Sequence, residues 1–177
     1  MAELTQKTDN WYVIQVNTGI EHTMCESIKQ MLEPECYQRC FVPMAQARVK
    51  QNGKYVTVER PLFPGYLFII TDRVEAVQAA LWKVAKFKRV LAAGGIPSPL
   101  TEAEVRAYLA FSREGYTVSL SKGFILGDKI TVTEGPLKNQ EGLIRKIDRH
   151  KRIALVEMPF LGTTTLVRVP LEIVDKS

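Results

Sequence analysis

The 177-residue chain is poor in the residues that most chemistry needs, with only two histidines and three cysteines. Neither histidine stands near a plausible nucleophile, and no G-x-x-x-x-G-K-S/T, H-E-x-x-H or G-x-S-x-G motif is present. An enzyme is therefore not expected, nor is a cofactor. The odd cysteine count, with no apolar export segment in the polar N-terminus, points to a reducing cytoplasm and no disulfide framework. The spacings His22-x-x-Cys25 and Cys36-x-x-x-Cys40 invite a zinc reading. Inert thiols filling a helix face account for them better, and no metal is assigned. Long apolar runs are also missing. The longest, Gly65–Ile70, has the length of a buried strand, far short of the roughly 18 residues of a membrane span. Charge of one sign is not concentrated overall: 24 Lys and Arg against 19 Asp and Glu leave +5. That excess permits nucleic-acid contact without demanding it.

What is present is a well-punctuated globular sequence. Residues 11–17 are β-branched and aromatic and read as a buried strand. Thr18 and Glu21 have capping-box spacing, ahead of a helix with Ile20, Met24, Ile28, Met31 and Leu32 on one stripe, ended by Pro34. An extended stretch from Tyr37 to Val49 breaks at Asn52-Gly53, a hairpin dipeptide, and Lys54–Val58 forms the returning arm. Residues 65–71 are the strongest strand. Asp72 and Glu75 flank a second helix start, with Val74, Val77, Leu81 and Val84 on one face. A strand over 86–92 ends at Gly94-Gly95, and Thr101 with Glu104 makes a third capping box opening a helix to about Phe111. The order β-α-β-β-α-β-α implies helices against a single, mainly antiparallel sheet.

The pattern then changes. Residues 112–122 are short and polar and read as a linker. Beyond them lie only short alternating runs, 129–133, 143–147, 153–158 and 164–169, separated by turns, the signature of a small β-barrel. The expected organisation is α+β: a flexible N-terminus over 1–10, an N-terminal domain over 11–111, a linker over 112–122 and a five-stranded barrel over 123–177.

Phe63-Pro64-Gly65-Tyr66 leading into an apolar strand, and Trp11-Tyr12-Val13 in the first strand, resemble the N-terminal domain of the NusG family. Gly94-Gly95, Pro97, Pro99-Leu100 and Glu102–Val105 resemble that domain's loop into its last helix. Gly127-Asp128, Val132, Glu134-Gly135-Pro136 and Glu141-Gly142 resemble a KOW motif, with Gly135, Pro136 and Gly142 in its turn. The resemblance implies a monomeric transcription elongation factor. Its N-terminal domain would ride on RNA polymerase at the clamp coiled coil, and its tethered KOW domain would recruit a termination factor, a small-subunit ribosomal protein or RNA.

Several candidate sites follow. Phe63 and Tyr66, beside a backbone-fixing Pro64 and Gly65, suit polymerase contact, and Trp11 and Phe68 join them in the candidate set. Trp82 stands near a position where relatives carry an interface aromatic but reads at least as well as core. Lys83, Lys86, Lys88 and Arg89 suit phosphate contact with non-template DNA, or a solvated face. The segment Arg145-Lys146-Ile147-Asp148-Arg149-His150-Lys151-Arg152 packs five cations and one histidine around a single acid. The 122–177 segment holds ten Lys and Arg against seven Asp and Glu. Such a turn suits an A-form RNA hairpin, read through phosphates and 2′-hydroxyls. Phe160 and Leu161 before Gly162 offer a further protein-docking pair. The basic turn makes the chain similar to the specialised LoaP branch, operon-specific antiterminators acting through an RNA hairpin. Housekeeping NusG function and a KOW-type RNA-binding structural protein are the alternatives.

Overall fold

A computed structural model describes residues 10–84, 87–112 and 116–174. In chain order the strands are β1 (Trp11–Val16), β2 (Arg39–Phe41), β3 (Met44–Gln51), β4 (Lys54–Pro61), β5 (Tyr66–Ile70), β6 (Phe87–Val90), β7 (Ala92–Ala93) and β8 (Ile96–Pro97). They continue as β9 (Thr117–Val118), β10 (Ser121–Leu126), β11 (Lys129–Glu134), β12 (Ile144–Asp148), β13 (Ile153–Phe160) and β14 (Thr163–Ile173). The helices are α1 (Glu21–Met31), α2 (Val74–Leu81) and α3 (Glu102–Phe111). The expected α+β class is what forms. Among the described residues, no helix is long and apolar enough to cross a membrane.

The chain divides into two compact units, Met1–Val42 with Pro64–Leu100 and Pro43–Phe63 with Thr101–Ser177. In the first, an antiparallel sheet has the order β2-β5-β1-β6. Pleating sends alternate side chains to opposite faces. Cys40, Ile69 and Tyr12 lie in one cross-strand row, and the Sγ of Cys25 on α1 meets that of Cys40 at 3.6 Å. The helices therefore cover this face. Met24, Cys25 and Ile28 of α1 and Val74, Val77 and Leu81 of α2 are buried, whereas Met31, expected on the apolar stripe, is 40% exposed. The opposite face carries Trp11, Phe41 and Phe68 in mutual edge-to-face contacts with centroids 5.7–6.2 Å apart. Burying each such ring contributes roughly 1.5–3 kcal/mol.

In the second unit β3 and β4 form a hairpin in full register from Met44↔Pro61 to Gln51↔Lys54. Its turn is Asn52-Gly53 with φ of 50° and 80°, the sign pattern of a type I′ turn. The five-stranded sheet has the order β11-β10-β14-β13-β12, with β10 and β14 parallel and the other pairs antiparallel. Within the segment expected as a linker, Thr117–Val118 pairs with β3 and Ser121–Lys122 belongs to β10; residues 113–115 lie outside the described residues. Polarity hid these strands, because their stability comes from a pairing partner elsewhere in the chain. β3, β4 and α3, expected with the first domain, share the second unit with strands β10–β14. Physically, Phe63 stacks on Phe160 of β13, and a Glu104 oxygen accepts from the Gly162 amide at 2.7 Å.

Only one of the three expected capping boxes forms. Thr101 accepts from the Glu104 amide while the Glu104 carboxylate accepts from the Thr101 amide. At α1 the N-cap is Ile20 with no side-chain cap, and at α2 it is Arg73, again uncapped. Glu21 is committed elsewhere, accepting from the amides of Gly19 and Gly65. Ahead of α2, Thr71 accepts from the Arg73 amide at 2.8 Å.

Candidate functional site

Trp11, Tyr66 and Phe68 fall on one face of the first unit's sheet, the face opposite α1 and α2. Trp11 and Phe68 are buried there, at 5% and 0% exposure, so they form core rather than an open docking patch. Aromatic size and strand alternation suit both roles, which is why sequence alone placed them in the contact set. Tyr66 is half-buried and lies in the cross-strand row Tyr66–Gln15–Arg89. Pro64 beside it is exposed. The loop between them is held from below. Glu21 is buried, and its Oε1 accepts from the Gly65 amide at 2.7 Å while its Oε2 accepts from the Gly19 amide at 2.9 Å. Gly65 has φ +84°, and a Cβ there would stand 3.1 Å from Thr18 Oγ1 and 3.3 Å from the Val16 carbonyl. Backbone hand and close approach together require glycine. Phe63 belongs to the second unit, where it is 6% exposed and stacks on Phe160 with centroids 4.3 Å apart and rings 9° from parallel. It too is core in this structure, not surface.

Trp82, which reads from sequence at least as well as core, lies outside the core. It caps the C-terminus of α2 and is 75% exposed. The period of α2 ends at Leu81, so the next residue leaves the apolar stripe. That offset was the available signal. Of the basic residues nearby, Lys83 is exposed, and the exposed Arg89 donates from Nε to Gln15 Oε1 at 3.1 Å. Lys86 lies outside the described residues, and for Lys88 only the backbone of β6 is described.

The basic segment 145–152 is resolved into two groups by its partners. Arg145 on β12 bridges to Glu157 of β13 at 2.5 Å and donates to the Gly142 carbonyl at 2.8 Å. The pair holds the Arg145 pKa up and the Glu157 carboxyl below the usual carboxylate range. Arg152 pairs with Glu172 of β14, and its guanidinium carbon sits 3.6 Å above the centre of the Tyr55 ring. These two arginines stitch strands together. Lys146, Arg149, His150 and Lys151 are exposed. In the β12–β13 turn Asp148 accepts from the Lys151 amide at 2.9 Å, and that hydrogen bond keeps the Asp148 carboxyl ionised to lower pH than usual. The acid thus shapes the turn, also lies 3.9 Å from the Lys151 ammonium, and leaves Arg149 and Lys151 exposed at the tip.

A further cation joins them only through register. Lys146 pairs with Leu155, and Leu155 with Arg168 on β14, so the three share one face in a row. The two cations stand two strand spacings apart, about 9–10 Å. Arg168 is exposed and enters no ion pair among the described residues. It lies 16 or more residues beyond the basic segment, so local sequence carried no signal for it.

The KOW-type turn is buried on one side. Gly135 has φ +92°, and a Cβ there would stand 2.6 Å from the Ser121 Cα, a clash with backbone that cannot yield. Pro136 is buried behind it, and the Leu137 amide donates to Ser121 Oγ at 3.0 Å. Gly142 is exposed in a 3-10 turn. In the candidate docking pair Phe160 is covered by Phe63, while Leu161 is 37% exposed with φ +55°.

Residues 9–109 match the family described as "Transcription termination factor nusG", and residues 126–157 match the KOW motif. The chain is 24% identical over 173 residues to the transcription termination/antitermination protein NusG of Campylobacter jejuni, covering 96% of this chain and 98% of that protein. It is 29% identical over 174 residues to the protein of the same name from Halalkalibacterium halodurans, covering 94% and 98%. Among solved structures, one titled "Domain interaction in Thermotoga maritima NusG" superposes with a TM-score of 0.52 at 23% identity, over 92% of this chain and 94% of that one. That likeness concerns the fold.

Proposed function

Because the chain belongs to the NusG family of transcription termination/antitermination factors, we propose that it binds RNA polymerase through its first unit and promotes processive antitermination by holding RNA with the β12–β13 turn. It acts as a transcription regulator, not an enzyme. The observation that carries the RNA reading is the partition of charge: Arg145 and Arg152 are consumed in ion pairs between strands, while Lys146, Arg149 and Arg168 face solvent and enter none among the described residues, and the exposed Lys151 has only a 3.9 Å approach to Asp148. Exposed cations on the turn, beside a histidine, with Lys146 and Arg168 sharing the adjoining sheet face, suit the phosphates of an A-form stem. The reading is operon-specific, of the LoaP kind, since a factor that grips RNA selects its transcript.

The test is titration of the chain with an RNA hairpin whose stem is about 16 base pairs, a length that spans two minor grooves. Affinity is expected to fall steeply with salt. Neutralising Lys146, Arg149 and Lys151 to glutamine is expected to lower the log–log salt slope by about 2–3. Binding that is absent at low salt, or a slope unmoved by the triple variant, refutes the RNA reading. A housekeeping role would then stand, with a termination factor or small-subunit ribosomal protein docking at Leu161.

Polymerase contact is assigned to Pro64 and Tyr66 on the Glu21-held loop, and to Trp82. An indole 75% in water is costly to leave idle and is the side-chain type that most often anchors an interface. Trp82→Ala is expected to weaken binding to core polymerase at least about tenfold, a loss of roughly 1.4 kcal/mol, with the unfolding midpoint unchanged. Equal affinity in a direct titration removes Trp82 from the interface. Lys83 and Arg89 are proposed to contact non-template DNA through its phosphates.

A further inference from the structure

Cys25 on α1 and Cys40 on β2 face each other across the helix–sheet seam of the first unit. Their sulfurs are 3.6 Å apart, and both residues are 3% exposed. Fifteen residues of chain separate them, so this proximity is created by packing α1 on the edge strand. The third cysteine, Cys36, is half-buried in the 3-10 turn Pro34–Cys36. Hydrophobic filling explains a buried cysteine but not two sulfurs in contact with a cation beside them.

From this geometry we infer that Cys25 and Cys40 form a reversible dithiol–disulfide site, oxidised by a low-molecular-weight disulfide of the glutathione type. Lys29, one helical turn beyond Cys25, supplies the activating charge. The two sulfurs share a hydrogen bond, and this contact, helped by the Lys29 ammonium, which is itself paired with Glu26 at 2.9 Å, lowers the Cys25 pKa against the opposing effect of burial. The same pairing, with burial behind it, pushes Cys40 up, so it keeps its proton and serves as the resolving thiol. The roles follow from position: the Lys29 cation stands one turn from Cys25 on the same helix, whereas Cys40 lies on the sheet edge.

The steps balance. The Cys25 thiolate attacks one sulfur of the small disulfide, forming a mixed disulfide and expelling one thiolate, which takes up the proton Cys25 lost. Cys40 then loses its proton to water or to the leaving thiolate and attacks the Cys25 sulfur. The second small thiol leaves, and the Cys25–Cys40 bond forms. One small disulfide is reduced to two thiols for each protein disulfide made. Closing from 3.6 Å to a bond of about 2.05 Å needs a side-chain movement of about 1.5 Å. In a reducing compartment such a bond is transient and reports an oxidising episode. Its structural effect is to tie α1 to β2, next to the point where the chain leaves for β3.

Trypsin cuts after Lys29, Arg39 and Arg48, which places the three cysteines on three different peptides, 8–29, 30–39 and 40–48. After incubation of the full native chain with oxidised glutathione, the expected product is peptide 8–29 linked to 40–48, with the intact mass reduced by two hydrogens. Oxidation is expected to raise the melting temperature by several degrees, because the bond restricts the unfolded chain. Cys36→Ser should leave the yield unchanged, and Lys29→Met should slow formation about threefold or more while the fold, followed by circular dichroism, is retained. Exclusive glutathione attachment at Cys36, or no cross-link in the native chain, overturns the assignment. Formation at an unchanged rate in Lys29→Met removes Lys29 from it.

Discussion

Replacing Phe63 by alanine is expected to cost the second unit about 3–5 kcal/mol of unfolding free energy. Phe63 is 6% exposed and lies between Phe160, stacked at 4.3 Å, and Tyr108, tilted at 6.4 Å. Removing the ring forfeits its transfer free energy and leaves a void against β13 and α3. Tyr108 cannot swing in to fill it, because its hydroxyl donates to the Tyr116 carbonyl at 2.6 Å. Amide exchange in β13 measures the effect in the right unit, since both tryptophans, Trp11 and Trp82, lie in the other one. A double-mutant cycle with Phe160→Ala should show coupling of about 0.5–1.5 kcal/mol, the usual range for an aromatic pair. A loss below about 1 kcal/mol would mean that the ring faces solvent, and would restore Phe63 as a surface anchor.

Glu21→Ala is expected to destabilise the first unit by about 2 kcal/mol, from the buried Gly65 amide and the part-buried Gly19 amide left without an acceptor. The carboxylate holds Gly65 and Gly19 at 2.7 and 2.9 Å, joining the start of α1 to the loop that carries Pro64 and Tyr66. Hydrogen bonds to a charged acceptor are the stronger kind, and this one is 3% exposed. Urea unfolding followed by tryptophan fluorescence reads this unit. Glu21→Gln, which keeps one carbonyl acceptor, should recover about half of the loss. Polymerase affinity should fall in Glu21→Ala even under conditions where the variant is folded, because the Pro64–Tyr66 loop loses its support. Unchanged stability in Glu21→Ala would show that water satisfies both amides.

Much of this fold was legible from local pattern. The Thr101–Glu104 box works because donor and acceptor are three residues apart on one helix turn. The Asn52-Gly53 turn works because its backbone signs are set by the two residues themselves. Strands β5, β11, β12 and β13 lie where β-branched alternation put them. The same three-residue spacing failed at Thr18–Glu21, where an amide 44 residues from Glu21 claimed the carboxylate. Local spacing states which bonds are possible, and long-range packing chooses among them.

The candidate site divides the same way. Composition located the basic segment 145–152, because unusual charge density needs no coordinates to be seen, and the family resemblance of Phe63-Pro64-Gly65-Tyr66 marked the aromatic run. Which of those residues are available was decided by the tertiary structure. Arg145 and Arg152 are taken up by acids 12 and 20 residues away, Arg168 is brought into line with Lys146 by strand register, and Phe63 is covered by Phe160. Trp82, expected no less as core than as contact, is left outside because α2 ends one residue before it. A side chain's chemistry is written at its own position, but its freedom to use that chemistry depends on partners that only folding brings near.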